Sequence, residues 1–202
     1  MDVDVLEHHP DLVIVMVVTN DMLNSNKMIS YELYESNLTK IVNRIKERKS
    51  KVLLMAPPPV DTTYLLQRHN RNAFQELPVE KLEKARRIVS RLAQNEEVEF
   101  LDLFQIFRDK NLPRHNEYLY FRNEKNNGVP DGVHPTSLGY GFIAKKVFDF
   151  LKVNQLVHKE MKIVCFGDSI TYGTGVKKGG TANGKSYPAV LSGLLDEQYN
   201  HN

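Results

Sequence analysis

Four short apolar segments punctuate the chain: DLVIVMVV at 11–18, KVLLMAP at 51–57, VEFLDL at 98–103 and KIVCFG at 162–167. Apolar runs of this length, bounded by polar residues, predict strands buried on both faces, as in a parallel sheet. Between them the period changes. Tyr34, Leu38, Ile41, Val42 and Ile45 recur on one helical face between Glu32 and Lys49. Leu82, Ala85, Val89 and Leu92 do so from Pro78 to Glu96, with Pro78 at a tolerated first-turn position. A third stripe, Tyr140, Ile143, Ala144, Val147, Phe148 and Leu151, follows HPTSLGYG, where Thr136 or Ser137 can cap the helix. A fourth helix opens at SYP, 186–188, and runs through Val190, Leu191, Leu194 and Leu195. Strands alternating with helices of this length predict an α/β fold, a parallel sheet with helices on both faces.

Composition narrows the picture. The 202 residues contain no Gly/Ser/Pro-rich break, so one domain over 1–202 is expected. Lys+Arg 27 against Asp+Glu 25 leaves no basic stripe for nucleic acid and no acidic bias for disorder. The run LVIVMVV at 12–18 is too short to span a bilayer, and MDVDVLEHHP is acidic where a signal peptide is basic. A cytoplasmic location without membrane contact is expected. The single cysteine, Cys165, excludes an internal disulfide framework, and within KIVCF it reads as a small core residue.

In such sheets ligands bind outside the carboxyl ends of the strands. The informative residues are therefore Thr19-Asn20-Asp21, Pro57-Pro58-Pro59, the long segment 104–134 and Asp168-Ser169. The last strand feeds FGDSITYGTGVKKGGTANGKS, 166–186, which holds two motifs. GGTANGKS, 179–186, satisfies the phosphate-loop pattern, but that loop must follow its strand directly, and a polar stretch separates Gly179 from Gly167. A surface loop is the preferred reading.

Ser169 lies at the strand end itself. A serine hydroxyl needs a base to act as a nucleophile. Asp131-Gly-Val-His134 supplies one, because this spacing lets the carboxylate orient the imidazole while its other nitrogen takes the serine proton. Asn20, at the neighbouring strand end, can donate its side-chain amide to an oxyanion. Each residue also has a purely structural role to offer: a turn serine, an Asx turn at Asn20-Asp21, a helix entry at Asp131 and Thr136. Their arrival together at one rim favours chemistry. His8, His9, His69, His115, His158 and His201 lack such a context and read as surface residues. Gly128 and Gly132 let the Asp131 loop turn. No cluster has metal-ligand spacing, and neither metal nor other cofactor is expected.

Together these residues identify a resemblance to the SGNH, or GDSL-type, serine esterases and lipases. GDSIT at 167–171 is similar to the family's nucleophile block, VTND at 18–21 to its Asn block and DGVHPTSLGY at 131–140 to its Asp-x-x-His block. YESNLTKIVNRIK and the DLVIVMV strand extend the likeness over nearly the whole chain. The resemblance implies a flavodoxin-like three-layer α/β/α sandwich. It also implies Ser169 as nucleophile, His134 as base, Asp131 as its partner, and Asn20 with the Ser169 amide in the oxyanion hole.

The order of blocks departs from the family, whose nucleophile block opens the chain. A circular permutation accounts for this: residues 152–160 would join the usual last helix to the usual first strand at 162–167. Two further departures follow. Val18 stands where the family has glycine, which predicts crowding beside the nucleophile strand. The family's second strand, with its oxyanion glycine, has no counterpart here, so no residue is assigned to that role. The missing strand predicts an exposed edge at 162–167 and a homodimer joined along it. The expected function is hydrolysis of carboxylic esters, short acyl or acetyl esters including those of carbohydrate, through an acyl-serine intermediate. The partner would be a small-molecule ester. The alternatives are a weak or inactive esterase-like binding protein and a nucleotide-binding enzyme using 179–186.

Overall fold

A computed structural model of the protein describes residues 1–200. The apolar segments form β1 (Leu12–Met16), β2 (Lys51–Ala56), β3 (Glu99–Asp102) and β4 (Ile163–Gly167). The helices, in chain order, are α1 (Thr19–Leu23), α2 (Tyr31–Glu47), α3 (Thr62–Arg68), α4 (Pro78–Asn95), α5 (Leu103–Arg108), α6 (Glu124–Asn127), α7 (Ser137–Val153), α8 (Ser169–Tyr172) and α9 (Tyr187–Asn200).

The four strands make one parallel sheet in the order β3-β2-β1-β4. Every side chain of β1 is buried, as its unbroken apolar run requires of a strand covered on both faces. Burial of each such Leu, Ile or Val stabilises the fold by about 1.5–3 kcal/mol before ordering costs. The register pairs Val13 with Val52 and Met16 with Gly167, so all carboxyl ends reach the same rim. Expectation and structure agree on the four strands and on the four long helices, with ends shifted by a few residues.

The buried stripes are those of the predicted faces: Tyr34, Leu38, Val42 and Ile45 on α2; Leu82, Ala85, Val89 and Leu92, with Ile88, on α4; Tyr140, Ile143, Ala144, Val147 and Leu151 on α7. Local chemistry starts these helices. Ser30 Oγ accepts from the Leu33 amide at 3.2 Å, and Thr136 Oγ1 accepts from the Gly139 amide at 3.2 Å. Satisfying one orphan amide in this way stabilises a helix by about 1 kcal/mol. The short helices α1, α3, α5, α6 and α8 lie where no helix was expected, since four to seven residues are too few to display a period.

Val18 is buried in the main apolar core, at the position preceding α1. The predicted open edge is present: β4 pairs with β1 on one side, and no described strand pairs with its other side. All five β4 residues are only partly buried. A groove of about 620 Å³ runs beside them, its lining including Ile163, Cys165, Leu191 and Leu195. Among the described residues no helix is long and apolar enough to cross a membrane.

Candidate active site

The rim is built where β1 and β4 end side by side. After Gly167 the chain turns into α8, and Asp168 caps that turn by accepting from the Ile170 amide at 3.0 Å. The backbone amide of Asn20, at the start of α1, also favours the ionised form of this carboxylate. Burial pushes the Asp168 carboxyl above its ordinary value, against the opposing pull of the Ile170 amide and the nearby His134 charge. Burial likewise raises Asp21. Ser169 is the first residue of α8, so its amide has no intrahelical acceptor.

The second half of the site is a tight turn. The Arg122 amide donates to the His134 carbonyl at 2.9 Å, and the Gly132 amide donates to the Arg122 carbonyl at 2.7 Å. Gly132 has φ +67°, and a Cβ there would stand 2.6 Å from Asp61 Cβ, so the turn admits only glycine. Within it Asp131 Oδ1 accepts from the amides of Val133 and His134, each at 3.1 Å. His134 Nδ1 lies 3.0 Å from both Asp131 oxygens, and His134 Nε2 lies 3.0 Å from Ser169 Oγ.

The tautomer follows from these contacts. Burial pushes the Asp131 carboxyl upward, but the hydrogen bond and charge of His134 and the two amides outweigh it, leaving it below its ordinary value. An ionised carboxylate only accepts, so Nδ1 donates to it and Nε2 is left to accept from the Ser169 hydroxyl. The chain therefore presents a hydroxyl, an imidazole and a carboxylate in one hydrogen-bonded line. Such a line can move a proton off an attacking oxygen.

The structure thus brings together Ser169, His134 and Asp131. Asn20 stands at the same rim, exposed, with no side-chain hydrogen bond among the described residues. Two arginines went unforeseen. Arg122 Nη1 donates to Asp131 Oδ2 at 3.1 Å, and Arg68 Nη2 donates to the Asp131 carbonyl at 2.6 Å. Arg68 arrives from 63 residues away on α3, and no local pattern in the sequence announces such a contact. His115, read as a surface residue, is exposed but paired: its Nδ1 lies 2.9 Å from Asp61 Oδ2, to which the Tyr118 hydroxyl also donates at 2.8 Å. His69 lies 3.3 Å from Ser25 Oγ, and His201 lies outside the described residues.

The phosphate-loop motif forms no phosphate cradle. The amides of Gly180, Gly184 and Lys185 donate to the carbonyls of Tyr172, Thr181 and Lys177. A nest that holds phosphate needs those amides free. Cys165 lies on β4 away from the His134–Asp131 pair, and desolvation pushes its thiol up to about 12 although the residue is only partly buried. Among the described residues no group of three or more His, Cys, Asp or Glu is placed to hold a metal ion.

A model of the GDSL-like lipase/acylhydrolase family matches residues 1–142. Solved structures of similar fold include a catalytic mutant of an acetylxylan esterase from Geobacillus stearothermophilus, with a TM-score of 0.54 and 21% identity over 74% of this chain and 61% of that one. An acetyl xylan esterase gives 0.55 and 20% over 75% and 72%. A lipase/acylhydrolase from Enterococcus faecalis gives 0.55 and 18% over 76% and 67%. At these identities the likeness is one of fold, and the chain spans 61% of the length of the Geobacillus esterase. No curated protein matches the chain.

Proposed function

Since the chain belongs to the GDSL-like lipase/acylhydrolase family, we propose that it hydrolyses carboxylic esters through an acyl-serine intermediate at Ser169. The observation that carries this reading is the 3.0 Å contact of His134 Nε2 with Ser169 Oγ, backed by the contact of Nδ1 with Asp131. In the first step Ser169 Oγ attacks the ester carbonyl carbon and its proton passes to His134 Nε2. The carbonyl oxygen becomes an oxyanion, which the Asn20 side-chain amide and the Ser169 backbone amide receive. Collapse expels the alcohol, which takes its proton from the imidazolium. Water, deprotonated by His134, then cleaves the acyl-serine and restores the hydroxyl. Asp131 holds the imidazole in the required tautomer throughout.

Short acyl esters, acetylated carbohydrate among them, are the proposed substrates. Two of the structural neighbours are acetylxylan esterases by name. In the Geobacillus esterase the catalytic mutants replace a serine, an aspartate and a histidine. Its aspartate and histidine are three positions apart, as Asp131 and His134 are, but its serine precedes them. The reverse order here supports a circular permutation, with residues 152–160 joining the family's last helix to its first strand within one domain over 1–202. The balanced charge and single cysteine support a cytoplasmic enzyme without nucleic-acid or membrane partners.

A second reading, a weak esterase or a binding protein on the same scaffold, is favoured by the open edge of β4. No described strand there supplies the family's glycine amide. Loss of one oxyanion donor costs about 10²–10³ in turnover. Labelling with a fluorophosphonate, mapped by peptide analysis, tests the first reading. Modification at Ser169 that is lost in His134→Ala is expected; an unmodified Ser169 overturns it in favour of the second.

A further inference from the structure

The Asp131 carboxylate carries more positive charge than orienting one imidazole requires. Arg122 Nη1 reaches Oδ2 at 3.1 Å, while its Nε donates to Asn127 Oδ1 at 3.0 Å, so the guanidinium is held at two points. Its side chain is 19% exposed. A third wall is Gly175, at φ +91°. A Cβ there would lie 2.5 Å from Arg122 Cδ and 2.6 Å from Nη1, so the loop after α8 closes on the guanidinium with no room to spare. Arg122 is also fixed through its backbone, which pairs on both sides with the 132–134 turn.

We propose that Arg122 is a positioning residue: it locks Asp131 Oδ2 where His134 Nδ1 meets it, and it tempers the pull of that carboxylate on the imidazole proton. Both effects follow from one contact. A carboxylate shared between a guanidinium and an imidazole cannot swing away from the imidazole. The shared negative charge also stabilises an imidazolium less than an unshared one would. The other charged groups facing His134 are few. Asp168 approaches from the β4–α8 turn, and Arg68 approaches from α3, 3.5 Å from Asp131 Oδ1 and 36% exposed. Arg68 is the outer partner, bound chiefly to the Asp131 carbonyl, and Arg122 is the inner one.

The inference rests on the esterase reading, and the two fail separately. Hydrolysis of an activated acetate ester is followed across pH for the unsubstituted chain, Arg122→Gln and Arg122→Lys, with melting curves recorded for each. Arg122→Gln is expected to lower kcat roughly ten- to a hundredfold, since small misplacements at a reacting centre act on this scale, while KM stays unchanged. The acid limb of kcat/KM is expected to move up by about one pH unit, because a cation has left the neighbourhood of the imidazolium. Arg122→Lys keeps the charge and is expected to return the limb to its original place while recovering kcat only in part. A purely structural arginine would lower activity without moving the limb. An unmoved limb in Arg122→Gln, or a limb in Arg122→Lys displaced as far as in Arg122→Gln, overturns the proposal. If Arg122→Gln does not fold, Asn127→Ala takes its place: it frees the far end of the guanidinium, kcat is expected to fall several-fold, and an unchanged kcat overturns the proposal. Absence of Ser169 acylation in the unsubstituted chain would instead end the esterase reading.

Discussion

His134 Nε2 and Ser169 Oγ stand 3.0 Å apart although 35 residues separate them in sequence. The whole of α7 and the turn at 154–162 lie between them, and the contact exists because β4 runs parallel to β1 and delivers its carboxyl end to the same rim. Ser169→Ala is therefore expected to lower turnover of an activated acetate ester by about a thousandfold or more with the melting temperature little changed. His134→Ala should cost a similar factor, and combining the two should cost little more. Asn20→Ala should slow the enzyme further, by about 10²-fold. Near-normal turnover in the Ser169 variant would refute the assignment.

The two carboxylates of the site should respond to pH with opposite signs. Asp168 is raised by burial, so its contribution to stability is present below the unfolded carboxyl value and is lost as pH rises through the folded one. Asp168→Asn, which can still accept from the Ile170 amide, should raise the melting temperature at neutral pH, and the gain should fade on acidification. Asp131 is depressed, so its contribution is present above the unfolded value and is lost as pH falls through the folded one. Asp131→Asn should melt lower at neutral pH and lose less on acidification. Parallel melting curves for both variants would contradict these assignments.

The internally bonded turn at 173–186 should not bind nucleotide. Millimolar ATP with magnesium is expected to leave the melting temperature unchanged, because a ligand stabilises only the state it binds. Lys185→Ala should stay within about twofold of the unsubstituted activity, as is usual for a solvated surface lysine. A saturable shift that disappears in Lys185→Ala would restore the nucleotide enzyme.

The open edge of β4 should draw a second copy of the chain. Its outer backbone groups have no strand partner among the described residues, and the groove beside them includes the side chains of Ile163, Leu191 and Leu195 in a partly polar lining. A two-fold pair joined along 162–167 is the expected assembly. Light scattering should report a dimer, and Ile163→Lys should dissociate it by setting a charge on that edge. A monomer at high concentration would dismiss the pairing.

The long elements were legible because burial marks them, as an unbroken apolar run in a strand covered on both faces and as a period in a helix. The unbroken LVIVM of β1 and the stripe Tyr140-Ile143-Ala144-Val147-Leu151 of α7 are the two forms. Ser169 and Asn20 drew notice because each follows a strand, where the fold concentrates chemistry, and Asp131 and His134 because of their Asp-x-x-His spacing. The Arg68 contact was not, since a long flexible side chain reaching a carbonyl from 63 residues away leaves no trace in local composition. Nor was the Asp61–His115 pair, whose two residues lie 54 apart in sequence.

The chain order also decides how catalytic competence is gained and lost. Three strands, β1 to β3, join in sequence across crossovers that carry α2 and α4, whereas β4 closes onto β1 from the far end: the Lys162 amide donates to Asp11 Oδ2, 151 residues away. Contacts of such separation bear the largest loop-closure entropy and form late. The serine therefore rides on the segment that meets the sheet across the largest sequence separation, and its base and carboxylate lie on the portion before it. Undocking of 162–200 would break the contact of His134 with Ser169, so the proposed activity should report directly on the attachment of this one segment.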